Sequence, residues 1–229
     1  MHSTGRPALG QTVAVIGSEA DLLDARRAGA DFFELRLDAL RAIMGSVERE
    51  IPKFNAPLIV TARHPREGGL HHLGPVRRAK LLLRFLNYAS YLDLELRALR
   101  ELANVRRRAR AQDVRLIISV HDLRDTPPVS SLRRKAHRAA EAGADIFKAV
   151  TRTDTSEQVD RLFAFFDAPD VDLPISAMGF GRFGRISRLE LAARGSALNY
   201  AHLGRAQVPG QFSLAEWKRV ARYLRRTLR

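Results

Sequence analysis

Cysteine is absent from the 229-residue chain, which removes disulfides, thiolate nucleophiles and cysteine-ligated metals from consideration. Lysine is scarce, five residues against thirty-four arginines, so a lysine in an apolar segment calls for a reason. No uncharged apolar run approaches the length of about 18 residues that a membrane-spanning helix needs. The opening residues 1–7, Met-His-Ser-Thr-Gly-Arg-Pro, lack the apolar centre of a secretory leader, and the expectation is a cytoplasmic protein with no membrane partner. No glycine-rich phosphate loop follows a strand-like segment, which weakens the P-loop and dinucleotide-binding classes. Zinc-finger spacing and RNA-stacking aromatic runs are missing as well.

What is present begins with charge, a formal net +14 at pH 7. That balance suits an anionic partner, from a small carboxylate to nucleic acid. The arginines, however, cluster in 97–110, 133–138 and 218–229, interleaved with Leu, Ala or Val at helical spacing, the pattern of solvated outer helix faces. Nucleic acid is therefore not the expected partner, and a small-molecule carboxylate or a phosphate stays open at this point. Composition leaves a homodimer open.

Apolar, β-rich runs recur at 12–16, 32–37, 57–63, 91–96, 114–120, 145–150, 173–178 and 198–203. Segments with a 3.6-residue apolar period separate them, one opening on Ser18 and Asp21 in the form of a capping box. Strands alternating with helices imply a parallel sheet, and eight such units in this length imply an α/β single domain over 1–229, a (β/α)8 TIM barrel. An internal echo fits this: Ala28-Gly29-Ala30-Asp31-Phe32-Phe33-Glu34 resembles Ala142-Gly143-Ala144-Asp145-Ile146-Phe147-Lys148 at an offset of 114 residues. Generic helix-to-strand punctuation, with glycine as helix C-cap, would produce the same similarity. On either reading Glu34 and Lys148 lie at equivalent depths on strands two and six, across the barrel from one another.

Barrel enzymes work at the C-terminal ends of their strands, and these ends are unusually polar here. Period two puts Glu34, Arg36 and Asp38 on one face after strand two; Arg63 and Glu67 follow strand three, Asp93 and Glu95 alternate on strand four, Ser119 and His121 share a face on strand five, and Lys148 lies on strand six. Strand seven leads to Ser187-Arg188 and strand eight to Gln211. Some of these belong to buried ion pairs, Arg36 with Asp93 or Glu95 among the candidates, and Asp38, Asp93 and Glu95 read as structural. Lys148 is different, because burial disfavours its ionised form and a neutral lysine attacks ketones. Amine, imidazole and carboxylate on neighbouring strands equip a site for imine formation followed by proton abstraction beside a carbonyl. The glycines at 179, 181 and 184 are a weak phosphate cup, and His71-His72 reads as loop, not as a metal pair.

In order and spacing, Glu34-Leu35-Arg36-Leu37-Asp38, the 63–69 segment with Glu-Gly-Gly, Ser119-Val120-His121-Asp122, Asp145-Ile146-Phe147-Lys148, Ile186-Ser187-Arg188 and Pro209-Gly210-Gln211 resemble the type I 3-dehydroquinate dehydratases of the shikimate pathway. The resemblance implies conversion of 3-dehydroquinate to 3-dehydroshikimate and water without cofactor or metal. It implies Lys148 as Schiff-base nucleophile, His121 as general acid/base, Glu67 as the group assisting or orienting it, and Glu34, Arg36, Arg63, Arg188 and Gln211 as substrate-binding residues. Two departures stand out: Gln207 replaces a serine common in the family, and the stretch 178–188 looks about two residues longer than usual. A non-catalytic carboxylate-binding barrel would need the arginines without needing both Lys148 and His121.

Overall fold

The computed structural model describes residues 9–227; the leader expectation for residues 1–7 and the last residues of the 218–229 basic run lie outside them. Eight strands alternate with helices: β1 (Gln11–Ile16), β2 (Phe32–Arg36), β3 (Leu58–Thr61), β4 (Ala89–Glu95), β5 (Arg115–Asp122), β6 (Ile146–Arg152), β7 (Ile175–Phe180) and β8 (Leu198–His202). The helices are α1 (Glu19–Ala25), α2 (Leu37–Leu40), α3 (Met44–Glu50), α4 (Pro75–Arg84), α5 (Ala103–Ala111), α6 (Val129–Glu141), α7 (Ser156–Asp167), α8 (Gly184–Ala193) and α9 (Leu214–Thr227), with short 3-10 turns between. All pairings are parallel, in the order β7-β6-β5-β4-β3-β2-β1-β8. The last seam closes without a full ladder. Ala197 N–H donates to Ile175 O at 2.9 Å, the Ser176 hydroxyl to Leu198 O at 2.9 Å, and Ala177 N–H to the Ser196 hydroxyl at 3.1 Å.

Alternation along each strand sorts the side chains into two environments. Phe33, Leu35, Leu92, Leu94, Phe147 and Ala149 face outward and are buried under the helices. Their inward neighbours change character with height. An apolar floor of Val13, Phe32, Ile59, Tyr91, Ile117 and Ile146 gives way one layer up to Glu34, Thr61, Asp93, Ser119 and Lys148, each at most 3% exposed. The floor provides the usual barrel core, about 1.5–3 kcal/mol for each large apolar side chain taken from water. The charged layer above it is affordable only if its members pair.

Several boundaries differ from the sequence expectation, each for a local reason. β7 is displaced two residues, because Pro174 has no N–H to contribute to a ladder while Thr151↔Gly179 and Arg152↔Phe180 extend the pairing. β5 continues to Asp122, so His121 is held in the ladder opposite Val150. β3 stops at Thr61 as the Arg63 N–H turns to the Asp38 carboxylate at 3.1 Å. Asp38 itself lies in the first turn of α2 instead of ending β2. Ser18 does cap α1 through the Asp21 N–H, but the Asp21 carboxylate serves Gly17 and Gly204, not Ser18.

The two echo segments do the same work. Asp31 accepts from Thr12 N–H and Asp145 from Leu116 N–H, both at 2.7 Å, tying each strand's start to the strand before it. Gly143 has the left-handed φ of 79° that a helix-ending glycine supplies; Gly29 does not.

Candidate active site

At the C-terminal ends of the strands a cavity of about 270 Å³ is lined by Glu34, Arg36, Arg63, Glu67, His121, Lys148, Arg188 and Gln211, all eight residues expected there. Lys148 is 3% exposed, but it is not the isolated ammonium that its apolar segment suggests. Only the outward neighbours Phe147 and Ala149 are apolar-packed; Nζ points inward, donating to Asp93 Oδ2 at 2.9 Å, 3.6 Å from Glu34 Oε1 and 3.9 Å from the centre of the Tyr200 ring. The depth equivalence of Glu34 and Lys148 is thus a direct approach across the barrel.

The ion pairs are arranged differently from the Arg36–Asp93 or Arg36–Glu95 expectation. Arg36 forms a two-pronged pair with Asp38, Nε–Oδ1 3.0 Å and Nη2–Oδ2 2.8 Å, because the β2-to-α2 turn brings that carboxylate back over its own strand. Asp38 also accepts the N–H groups of Arg63 and Leu70. Arg63, just past the end of neighbouring β3, takes both carboxylates of β4, meeting Asp93 at 2.8 and 3.0 Å and Glu95 at 2.9 Å. The Ser119 hydroxyl donates to Asp93 at 2.6 Å. Burial opposes ionisation of Asp93, yet Arg63 and Lys148 overcome it and hold the carboxyl well below the ordinary range.

His121 Nδ1 lies 2.9 Å from Glu67 Oε2, which also accepts the His121 backbone N–H at 2.9 Å. Burial, with Arg63 and Lys148 nearby, pushes the imidazole well below its usual value. Burial and the neighbouring Glu95 raise the Glu67 carboxyl to about 7. Near neutrality the imidazole is therefore neutral and the Glu67 carboxyl only partly ionised. When Glu67 is ionised, the Nδ1–H tautomer follows and Nε2, which has no protein partner among the described residues, carries the lone pair.

Arg188 sits on the inner face of α8, not in the loop after β7, and is 7% exposed. Its Nε donates to Gly179 O at 2.9 Å and Nη1 to Tyr200 O at 3.3 Å. No carboxylate lies within ion-pairing distance among the described residues, and burial alone lowers its pKa to about 10. A buried cation facing a cavity without an anion is left short of a charge-assisted partner. Gln211 Oε1 accepts Gln207 N–H at 2.8 Å, which leaves the Gln211 amide N–H groups for a ligand.

The glycine-rich stretch is no phosphate cup. Gly181 N–H and Gly184 N–H go to Pro209 O and Gly181 O, and a Cβ on Gly179 would meet Ser187 Oγ at 2.3 Å. His71 and His72 are exposed, with φ of 62° and 46°, and no metal-binding cluster of His, Asp and Glu occurs among the described residues. Tyr200, beneath Lys148, escaped the sequence reading; the period-two pattern Leu198, Tyr200, His202 on β8 was the available signal.

A parallel barrel whose mouth gathers one amine, an imidazole–carboxylate pair and a buried unpaired guanidinium is an enzyme scaffold with an amine-centred site. The family model for type I 3-dehydroquinase matches residues 11–227, and the chain belongs to that family of lyases. The 3-dehydroquinate dehydratase of Aromatoleum aromaticum is 32% identical over 97% of this chain and 90% of that protein, and that of Methanothermobacter thermautotrophicus 33% identical over 82% of each. The solved 3-dehydroquinate dehydratase of Geobacillus kaustophilus superposes with a TM-score of 0.87 at 25% identity, covering 96% of this chain and 93% of the other.

Proposed function

We propose that the protein dehydrates 3-dehydroquinate to 3-dehydroshikimate through a Schiff base on Lys148. Nζ adds to the substrate ketone and water leaves, giving an iminium. The iminium withdraws electrons more strongly than the ketone, so the adjacent C–H becomes acidic enough for the His121 imidazole to take its proton. The resulting enamine expels the neighbouring hydroxyl, which receives that proton from His121 and departs as water. Hydrolysis of the product iminium regenerates the amine.

In this reading Glu67 fixes the imidazole tautomer and Arg188 receives the substrate carboxylate. Gln211 and the Arg36 and Glu34 side chains meet the ring hydroxyls, while Arg63 contributes its cavity-facing edge and mainly holds Asp93 and Glu95. No cofactor enters, since the lysine itself supplies the electron sink. The observation that carries the proposal is Lys148 paired to Asp93 at 2.9 Å, in one cavity with the His121–Glu67 pair. The test is intact mass after borohydride reduction with 3-dehydroquinate. One ligand mass at Lys148, lost in Lys148→Ala, is expected; label on Lys80 or Lys135, or none, overturns it. His121→Ala is expected to keep the adduct while slowing turnover by about 10² to 10⁴.

A further inference from the structure

Arg78 belongs to an arginine-rich outer helix, where a solvated side chain is the ordinary outcome, yet it is 1% exposed and among the largest fully buried side chains. A buried arginine between helix and barrel is costly, and an apolar residue of similar size would often serve stability as well or better. What it holds explains why it is there. Nε donates to Ala62 O at 2.7 Å, and Nη2 pairs with Glu95. The other Glu95 oxygen accepts Arg63 Nη1 at 2.9 Å and His64 N–H at 2.8 Å.

Arg78 thus grips Ala62 directly and Arg63 and His64 through Glu95, three consecutive residues leading to Glu67. From there one turn remains. His64 O accepts the N–H groups of Glu67 at 2.9 Å and Gly69 at 3.0 Å, closing the 3-10 turn Pro65–Glu67 that delivers Glu67 to His121. Charge adds a second strand of argument. The connected interior cluster contains the carboxylates of Glu34, Asp93 and Glu95 and the cations of Arg63, Lys148 and Arg78, which balance only if Arg78 is counted. Without it the surplus negative charge resides on Glu95, the neighbour that already favours protonation of Glu67.

We infer that Arg78 is a positioning residue for the reaction, keeping the Glu67 carboxylate ionised and seated on His121 by acting through Glu95 and the Ala62–His64 backbone. This rests on the function proposed above. The other groups facing Glu67 are His121 and Asp122 on β5, Arg63 just past the end of β3, Arg97 beyond β4 at 3.9 Å, and Lys135 and Arg138 on α6 across a shared cleft. A substitution at Arg78 removes none of these groups.

The experiment is the pH profile of kcat in Arg78→Met, Arg78→Lys and Glu67→Gln, each first tested for borohydride trapping. Failure of trapping in the parent enzyme would sink the Schiff-base reading, whereas everything that follows assumes trapping succeeds. Glu67→Gln is expected to abolish the acidic limb, which assigns that limb to Glu67. Arg78→Met is expected to move the limb to higher pH by about one unit, the scale of losing one nearby charge. Arg78→Lys is expected to return it to the parent position with kcat still depressed, because an ammonium restores charge but not the two-pronged grip. A trapped, folded Arg78→Met with an unmoved limb overturns the inference. If that variant does not fold, Arg78→Met with Glu95→Gln restores the charge balance and also removes the neighbour that raises Glu67, so its limb is expected at or below the parent position with kcat reduced; a limb above the parent position, or parental kcat, in that double variant overturns the inference equally.

Discussion

Replacing Arg188 by methionine is expected to move stability and ligand affinity in opposite directions. The guanidinium is buried, bonded to two carbonyl oxygens and unpaired with any carboxylate among the described residues. The fall of its pKa to about 10 corresponds to about 3 kcal/mol of unfavourable burial of charge. Methionine fills much of the same volume and removes that cost, but it leaves Gly179 O and Tyr200 O without their donor, at about 1 kcal/mol each. The difference is a gain of about 1 kcal/mol, or roughly 2–4 °C in Tm for a domain of this size. Substrate loses a desolvated, charge-assisted pair, worth about 2–5 kcal/mol and hence roughly 30- to 4,000-fold in Kd. Gln211→Ala removes only neutral hydrogen bonds, about 1 kcal/mol. Thermal melts of the empty variants and 3-dehydroquinate titrations in a Lys148→Ala background measure both quantities. An Arg188→Met protein that melts several degrees lower while binding normally, or a Gln211→Ala loss equal to that of Arg188→Met, refutes the assignment of Arg188 as the waiting anion receptor.

For Glu67, folding raises the carboxyl from 4.5 to about 7, so the folded state binds this proton more tightly and the stability it contributes, complete below about 4.5, is lost as pH rises toward 7. Glu67→Gln is therefore expected to be the more stable protein above pH 7 by urea titration; a parent equal to it there shows that Glu67 is not raised. Asp93→Asn strips the charge that serves Arg63, Lys148 and Ser119 together, and a loss of about 3–5 kcal/mol is expected from leaving buried cations short of a partner; a urea midpoint within about 1 kcal/mol of the parent would contradict the network. Gln207 offers its backbone N–H to Gln211, a contact serine retains, so Gln207→Ser is expected to preserve or improve substrate affinity. A marked rise in Kd would mean that the Gln207 side chain belongs to the rim in its own right.

The barrel was legible because its two periods are written without interruption. Strands such as 32–37 alternate around Phe33 and Leu35, and helices carry one apolar stripe. The ends of the strands were harder, since they are set by contacts distant in sequence: Arg63 N–H leaves the ladder for Asp38, and β6 draws β5 on to Asp122. Pairing choices inside the barrel were invisible for the same reason. Period two said that Arg36, Arg63, Asp93 and Glu95 all point inward, but which carboxylate each arginine meets depends on register across strands, and Arg36 closes on the nearer Asp38.

The buried arginines show where a sharper reading was available. Arg78 lies four residues before Leu82 and seven before Phe85, both 0% exposed, so the helical period already put it on the inner stripe of α4. Arg188, three before Leu191 and four before Ala192, repeats the pattern on α8. An arginine on a solvated face follows from composition in so basic a chain; an arginine on the apolar stripe must be neutralised by something the helix does not carry. For Arg78 that partner is Glu95, supplied by the barrel. For Arg188 the protein supplies only carbonyl oxygens, and the missing charge is the one a carboxylate substrate would bring. The same helical position thus distinguishes a cation that organises the site from one that waits for its ligand, and the difference lies wholly in whether the barrel answers it with a carboxylate.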